Sequence, residues 1–149
     1  MLKLNIGCGN DVLSGYTNHD LTKHRDDIDI TWDLNEKNWS DFTKLHNFDE
    51  IRASDVIEHI NDPINFMDNC WELMAKGGLL IIKACGWQNP NLHVDITHKR
   101  GYDIKSFDYF DPTTEIGSEY GFYTKKRWTI IEKHYDKRLN VIITLTPIK

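Results

Sequence analysis

A pair of glycines at the exit of the first short apolar run constrains this chain more than any other feature. Leu2 to Ile6 reads as a strand, and the string Asn5-Ile6-Gly7-Cys8-Gly9-Asn10 closes it. Glycines there let the backbone turn tightly and let a ligand approach with no side chain in the way. Gly-x-Gly alone is common in turns, so its weight comes from the acids placed after the neighbouring strands. An aspartate closes each of the next short strands: Asp20 after Tyr16–His19, Asp33 after Ile28–Trp32, and Asp55 shortly after Glu50–Ala53. Each aspartate alone also suits a turn or a helix cap. Placed together after a glycine turn, they fall at the carboxyl ends of successive parallel strands, where open α/β sheets bind their ligands.

The rest of the chain supports such a sheet. Asn38 to His46 is predicted as a short helix, with Trp39, Phe42 and Leu45 at 3-residue spacing. Pro63 to Met74 carries the best helical pattern, with Asp62 as N-cap, Pro63 at the first position and Gly77 as the stop. Leu79 to Ala84 is a continuous apolar strand suited to a sheet centre. Ile104 to Phe110 reads as a short helix that Pro112 keeps from extending. Trp128–His134 and Leu139–Leu145 read as an antiparallel hairpin. The expected fold is therefore α/β and Rossmann-like, a mostly parallel sheet with right-handed crossovers that ends in an antiparallel hairpin strand. A plain dinucleotide-binding domain usually finishes parallel, which weakens a reading as an NAD-binding module. Only 10 residues separate Gly9 from Asp20, against about 20 in the dinucleotide fingerprint, so the first helix must be shortened or absent.

With 149 residues the expectation is a single domain spanning 1–149. No apolar run approaches the roughly 20 residues of a membrane span, and the chain reaches its glycine turn too early for a signal peptide. Three cysteines without a CxxC spacing argue against a disulfide framework or a structural zinc site, which fits a reducing cytoplasm. Residues 1–75 carry 6 Lys+Arg against 15 Asp+Glu, whereas the remainder has a net charge of +4. So acidic a first half argues against a general nucleic-acid-binding surface.

The glycine turn, the Asn18-His19-Asp20 and Asp33-Leu34 steps, the segment Val56-Ile57-Glu58-His59-Ile60 and the step Lys76-Gly77-Gly78 together resemble class I S-adenosylmethionine-dependent methyltransferases. The likeness is to the type 11-like group, in a short form, and covers residues 2–112. It implies S-adenosyl-L-methionine as cofactor. It also implies Gly7, Cys8 and Gly9 at the methionine part with Asn5 nearby, Asp20 on the ribose, and Leu21 beside the adenine. Asp33 and Leu34 then belong at the adenine edge, and Asp55, Val56 and His59 on the sulfonium side. The pattern departs from the family at Asn5, where an acid is common, and at Asp11, where a third glycine is common. With the short first helix, this implies a more open cofactor site, one that a partner subunit in a homo- or hetero-oligomer completes.

Methyl transfer needs an aligned nucleophile and, for a hydroxyl or amine, a group that takes its proton. The aperiodic stretch Cys85 to Tyr102 comes after the fifth strand on the acceptor side and holds His93, Asp95 and His98. His98 is the expected base, oriented by Asp95, with His93 and His59 next in line. His-x-Asp-x-x-His also offers metal ligands, but no further ligand accompanies it at a recognisable spacing, so no metal is expected. Trp87 and Tyr102 are expected at the acceptor pocket, and Phe107 and Phe110 in the core. The expected activity is methyl transfer to a hydroxyl or amine of a small-molecule or glycan-linked acceptor. The alternative is a non-catalytic cofactor-binding module, regulatory or the inactive half of a heterodimer.

Overall fold

The computed structural model describes residues 1–39 and 46–149. Its sheet has seven strands: β1 (Lys3–Ile6), β2 (Thr17–Asp20), β3 (Ile30–Thr31), β4 (Phe48–Ser54), β5 (Met74–Ala84), β6 (Trp128–Tyr135) and β7 (Val141–Pro147). Their order across the sheet is β3-β2-β1-β4-β5-β7-β6. The first five are parallel, and β7 lies antiparallel to both β5 and β6. The parallel sheet closed by an antiparallel hairpin is the architecture expected from sequence. Most of the helix predicted over 38–46 lies outside the described residues.

Register decides what each face of the sheet does. Leu4, Ile51, Leu80 and Leu145 stand side by side across β1, β4, β5 and β7, as do Ile6, Ala53, Ile82 and Ile143. All eight are fully buried. The intervening row, Asn5, Arg52, Ile81 and Thr144, faces the other way and is open in part, with Arg52 exposed and Ile81 half-buried. Helix α1 (Pro63–Leu73) feeds Phe66, Met67, Cys70 and Leu73 into the same core. Their 3- and 4-residue spacing is that of one helical face. Asp62 caps α1 by accepting from the amides of Ile64 and Asn65, both at 3.0 Å. The chain leaves α1 directly into β5 at Met74, earlier than Gly77 implied, because Met74 is itself buried in the core and already extended.

Among the described residues no helix joins β1 to β2 or β2 to β3. The turn after β1 folds over Asn5 instead, whose amide donates to the carbonyl of Asp11 and to Asn18. The domain is thus thinner on that face than a three-layer α/β sandwich. The stretch 85–102 is ordered and pinned. The Tyr102 amide donates to the Cys85 carbonyl, the Trp87 amide to the Tyr102 carbonyl, and the Lys99 amide to the Glu58 carbonyl. It contains a one-turn helix, α2 (Asn91–Val94), and α3 (Glu115–Tyr120) comes after it. The segment expected as a helix over 104–110 is a 3-10 turn, Ser106–Phe110. No helix of the described residues is long and apolar enough to cross a membrane.

Candidate functional site

The carboxyl ends of β1, β2, β3 and β4 open onto a crevice of about 450 Å³, within the size range of ordinary small-molecule sites. Gly7, Asp20, Leu21, Asp33, Leu34, Asp55, Val56 and His59, all singled out from sequence, line it. Gly7 has φ +61, and a Cβ there would come within 2.5 Å of Val56 Cγ2. Gly9 has φ +52 but open space where a Cβ would stand, so its conformation alone demands glycine. Its amide donates to Oδ2 of Asp20 at 2.6 Å, and the Leu21 amide to Oδ1 at 2.6 Å. Each oxygen keeps a lone pair for a ligand hydroxyl. Asn5 and Cys8 are buried beneath the turn and do not line the crevice. Asn5 holds the turn's shape through its bonds to Asp11 and Asn18.

Sequence reasoning missed His19, Trp32, Thr97 and Lys99 as further walls of this crevice. His19 is 1% exposed. Its Nδ1 accepts from the Gly7 amide at 3.3 Å, and its Nε2 lies 3.1 Å from the Trp32 carbonyl. A carbonyl only accepts, so Nε2 carries the proton and the ring is neutral. Burial pushes its pKa down. One imidazole thereby joins the glycine turn to the end of the third strand. Its place in the Asn18-His19-Asp20 step was the signal that could have found it.

Behind the crevice lies a second cavity of about 420 Å³, lined among others by Glu58, Cys85, Asn89, Asp95, His98 and Arg138. Asp55 and His59 belong to the walls of both. Asp55 adopts φ +57, a left-handed conformation uncommon outside glycine that concentrates at functional sites. Its carboxylate pairs with Lys83 Nζ at 2.7 Å. Glu58 is fully buried. Its Oε1 accepts from the Cys85 amide at 2.9 Å, while Oε2 is buried with no partner. Burial pushes the Glu58 carboxyl up.

His59, Thr97, Asp95 and His98 cluster where the two spaces meet. Thr97 Oγ1 donates to Asp95 Oδ1 at 2.6 Å and lies 3.0 Å from His59 Nδ1. Having spent its one proton, the hydroxyl accepts from Nδ1–H, which leaves the lone pair of His59 on Nε2. The Thr97 hydrogen bonds hold the Asp95 carboxyl below its ordinary value. His98 Nε2 stands 3.7 Å from Asp95 Oδ2, beyond hydrogen-bond reach. His93 is exposed and lines neither space. Trp87 is also largely exposed, tied through Nε1 to Asp103, and Tyr102 packs on Phe107 beside a separate apolar cavity. Neither aromatic lines the crevice or the second cavity.

At the level of sequence, no family model matches the chain, and neither does any curated relative. Solved structures do match in fold. One is a chain of the complex between the Trm112 methyltransferase activator and a methyltransferase of Haloferax volcanii. It has a TM-score of 0.69 at 9% identity over 99% of this chain and 83% of that one. Another is the methyltransferase CalH in complex with SAH, at TM-score 0.67 and 12% identity, over 99% of this chain and 51% of that one. A third is the N-methyltransferase NodS of Bradyrhizobium japonicum WM9 with S-adenosyl-L-homocysteine, at TM-score 0.58 and 16% identity, over 99% and 78%. The chain has the class I, Rossmann-like fold of S-adenosylmethionine-dependent methyltransferases. It spans about half the length of CalH.

Proposed function

We propose that this protein is an S-adenosylmethionine-dependent methyltransferase acting on a hydroxyl or amine of a small-molecule or glycan-linked acceptor. The observation that carries the reading is the shared wall of the two spaces, Asp55 and His59. A methyl donor in the crevice and an acceptor in the cavity would meet there. Asp20 takes the ribose hydroxyls, and Trp32, Asp33 and Leu34 surround the adenine. Asp55 stands on the sulfonium side, its carboxylate held by Lys83. The protein's part in the reaction is alignment and removal of the acceptor's proton, since the cofactor supplies the electrophile. The cluster of His59, Asp95 and His98 stands at the place where that proton leaves.

The sheet face left thin by the missing helices is where a partner subunit would complete the domain. The Haloferax volcanii complex, in which a chain of this fold is solved with an activator, supports that reading.

Titration calorimetry with S-adenosylhomocysteine at about 100 μM protein, which reveals a Kd up to about that value, tests the cofactor reading. Heat of binding at one site per chain is expected, and silence would overturn it. Transfer of labelled methyl to a panel of hydroxyl and amine acceptors tests the activity. Binding without any transfer would make the chain a non-catalytic cofactor module.

A further inference from the structure

We propose that His59, Asp95 and His98 bind one divalent transition-metal ion at the seam between crevice and cavity. The spacing His-x-Asp-x-x-His offers too few ligands for a metal by itself. His93 stands outside the cluster, and the fold brings His59 from the 3-10 turn Ile57–His59 to Asp95 and His98 in its place. One nitrogen of each ring and one oxygen of Asp95 all lie within 4.8 Å of one another. The 3.7 Å between His98 Nε2 and Asp95 Oδ2 is too long for a hydrogen bond but near the separation of two donors on one ion. Metal bonds of about 2.1 Å place neighbouring ligands roughly 3.0–3.5 Å apart and opposite ones about 4.2 Å apart. Separations of up to 4.8 Å must shorten by roughly 1.3 Å to reach the range of neighbouring ligands, a closure in which the half-exposed Asp95 side chain moves together with the rings.

Burial fixes the His98 ring in place. The His98 side chain is 8% exposed, and its Nδ1 is buried without a partner. Its polar chemistry passes through Nε2, the nitrogen on the Asp95 side. Thr97 meanwhile ties His59 to Asp95 through one hydroxyl, so these two donors are held together before any ion arrives. Two imidazoles and one carboxylate suit zinc, iron, cobalt, nickel or manganese, rather than calcium or magnesium, which prefer oxygen donors.

The role of the ion rests on the methyl-transfer reading above. Three protein ligands leave coordination positions open. An acceptor hydroxyl bound there gives its proton to bulk water at the cavity mouth. Its oxygen then forms the bond to the methyl carbon as the carbon–sulfur bond breaks, and the electron pair stays on sulfur as the neutral thioether. An amine bound to the ion has no lone pair left for attack. The ion thus narrows the acceptor class to hydroxyls.

The test uses the full chain, stripped with a chelator and titrated with Zn²⁺ by calorimetry and with Co²⁺ by visible absorption. One ion per chain is expected. His59→Ala, Asp95→Asn and His98→Ala should each weaken binding at least tenfold, and the exposed His134→Ala should leave it unchanged. S-adenosylhomocysteine affinity of Asp95→Asn and His98→Ala should stay within threefold of the parent. No saturable binding below about 100 μM, a Kd still readable by calorimetry, would overturn the proposal. So would an equal loss in His134→Ala. If the ion binds and S-adenosylhomocysteine does not, the metal site stands and the methyltransferase reading falls.

Discussion

The Gly9 amide donates to the Asp20 carboxylate across the mouth of the crevice, at 2.6 Å. The residue expected to hold the ribose therefore also fixes the glycine turn after β1. Asp20→Ala should cost about 2–4 kcal/mol of cofactor affinity, the range for truncating one partner of a buried charged contact. It should also lower fold stability by about 1 kcal/mol, through the lost hydrogen bond to Gly9. Calorimetry with S-adenosylhomocysteine and a urea melt read the two effects separately. An unchanged Kd would move the ribose elsewhere.

The His19 ring gives the domain an acid-sensitive joint. Burial lowers its pKa in the folded state, so the unfolded chain takes up this proton first. Its contribution to stability is complete above the ordinary histidine value of about 6.5 and is lost as pH falls below it. His19→Gln should flatten that part of the stability–pH curve and weaken cofactor binding, because the Gly7 amide loses its acceptor. Denaturant midpoints from pH 7.5 to 5 check this. Parallel curves for parent and variant would contradict it.

Glu50 is the acidic counterpart, on the thinner face of the sheet. Burial alone would raise its carboxyl, but hydrogen bonds from Tyr16, Arg52 and Lys3 bring it down to about 2. A depressed carboxyl stabilises the fold above its unfolded value of about 4.3, and the gain is lost as pH falls toward 2. Glu50→Gln should therefore cost on the order of 2 kcal/mol at neutral pH and almost nothing at pH 2. Melting temperatures at pH 7 and pH 2 decide it.

The sheet is legible in the sequence because strand-end glycine and aspartate signals sit at fixed points of the chain. The crevice residues Gly7, Asp20, Asp33 and Asp55 come from that register. The hidden part depends on contacts between distant segments. His59 meets Thr97 and His98 only because the 85–102 stretch is strapped onto the 3-10 turn through Lys99 and Glu58. His93, close to His98 in sequence, is left exposed by the single turn of α2. Trp32 and His19 look like ordinary strand residues, and nothing in a local pattern marks a side chain as the wall of a crevice. Helix α1 ends before Gly77, its apparent stop, because the buried Met74 has already begun β5.

The two histidines of that stretch should behave differently. His98→Ala is expected to lower turnover by roughly tenfold or more, because it removes a ligand of the proposed ion on which the acceptor hydroxyl loses its proton. His93→Ala should change it less than threefold. Initial rates at saturating cofactor make the comparison. Equal losses in both variants would point to a disturbed loop, and a circular-dichroism melt of His98→Ala separates loss of chemistry from loss of fold.

Glu58 makes the last prediction, and its sign is opposite to that of Glu50. Burial raises its folded-state carboxyl, so the fold favours the protonated form. The associated stability is present at low pH and declines as pH rises through the raised value. Glu58→Gln keeps the shape and an acceptor for the Cys85 amide without any charge to bury. It should hold or raise stability at pH 8. Glu58→Ala leaves that buried amide unpaired and should cost about 1–3 kcal/mol. The unpartnered Oε2 gives the same pair of variants a second readout, because Glu58 lines the second cavity, where we propose the acceptor binds. If it meets a polar group of the acceptor, Glu58→Gln should raise the acceptor KM and leave S-adenosylhomocysteine affinity unchanged. Glu58→Gln melting as early as Glu58→Ala at pH 8 would show that the carboxylate is needed in its charged form, and the burial argument for this residue would fail.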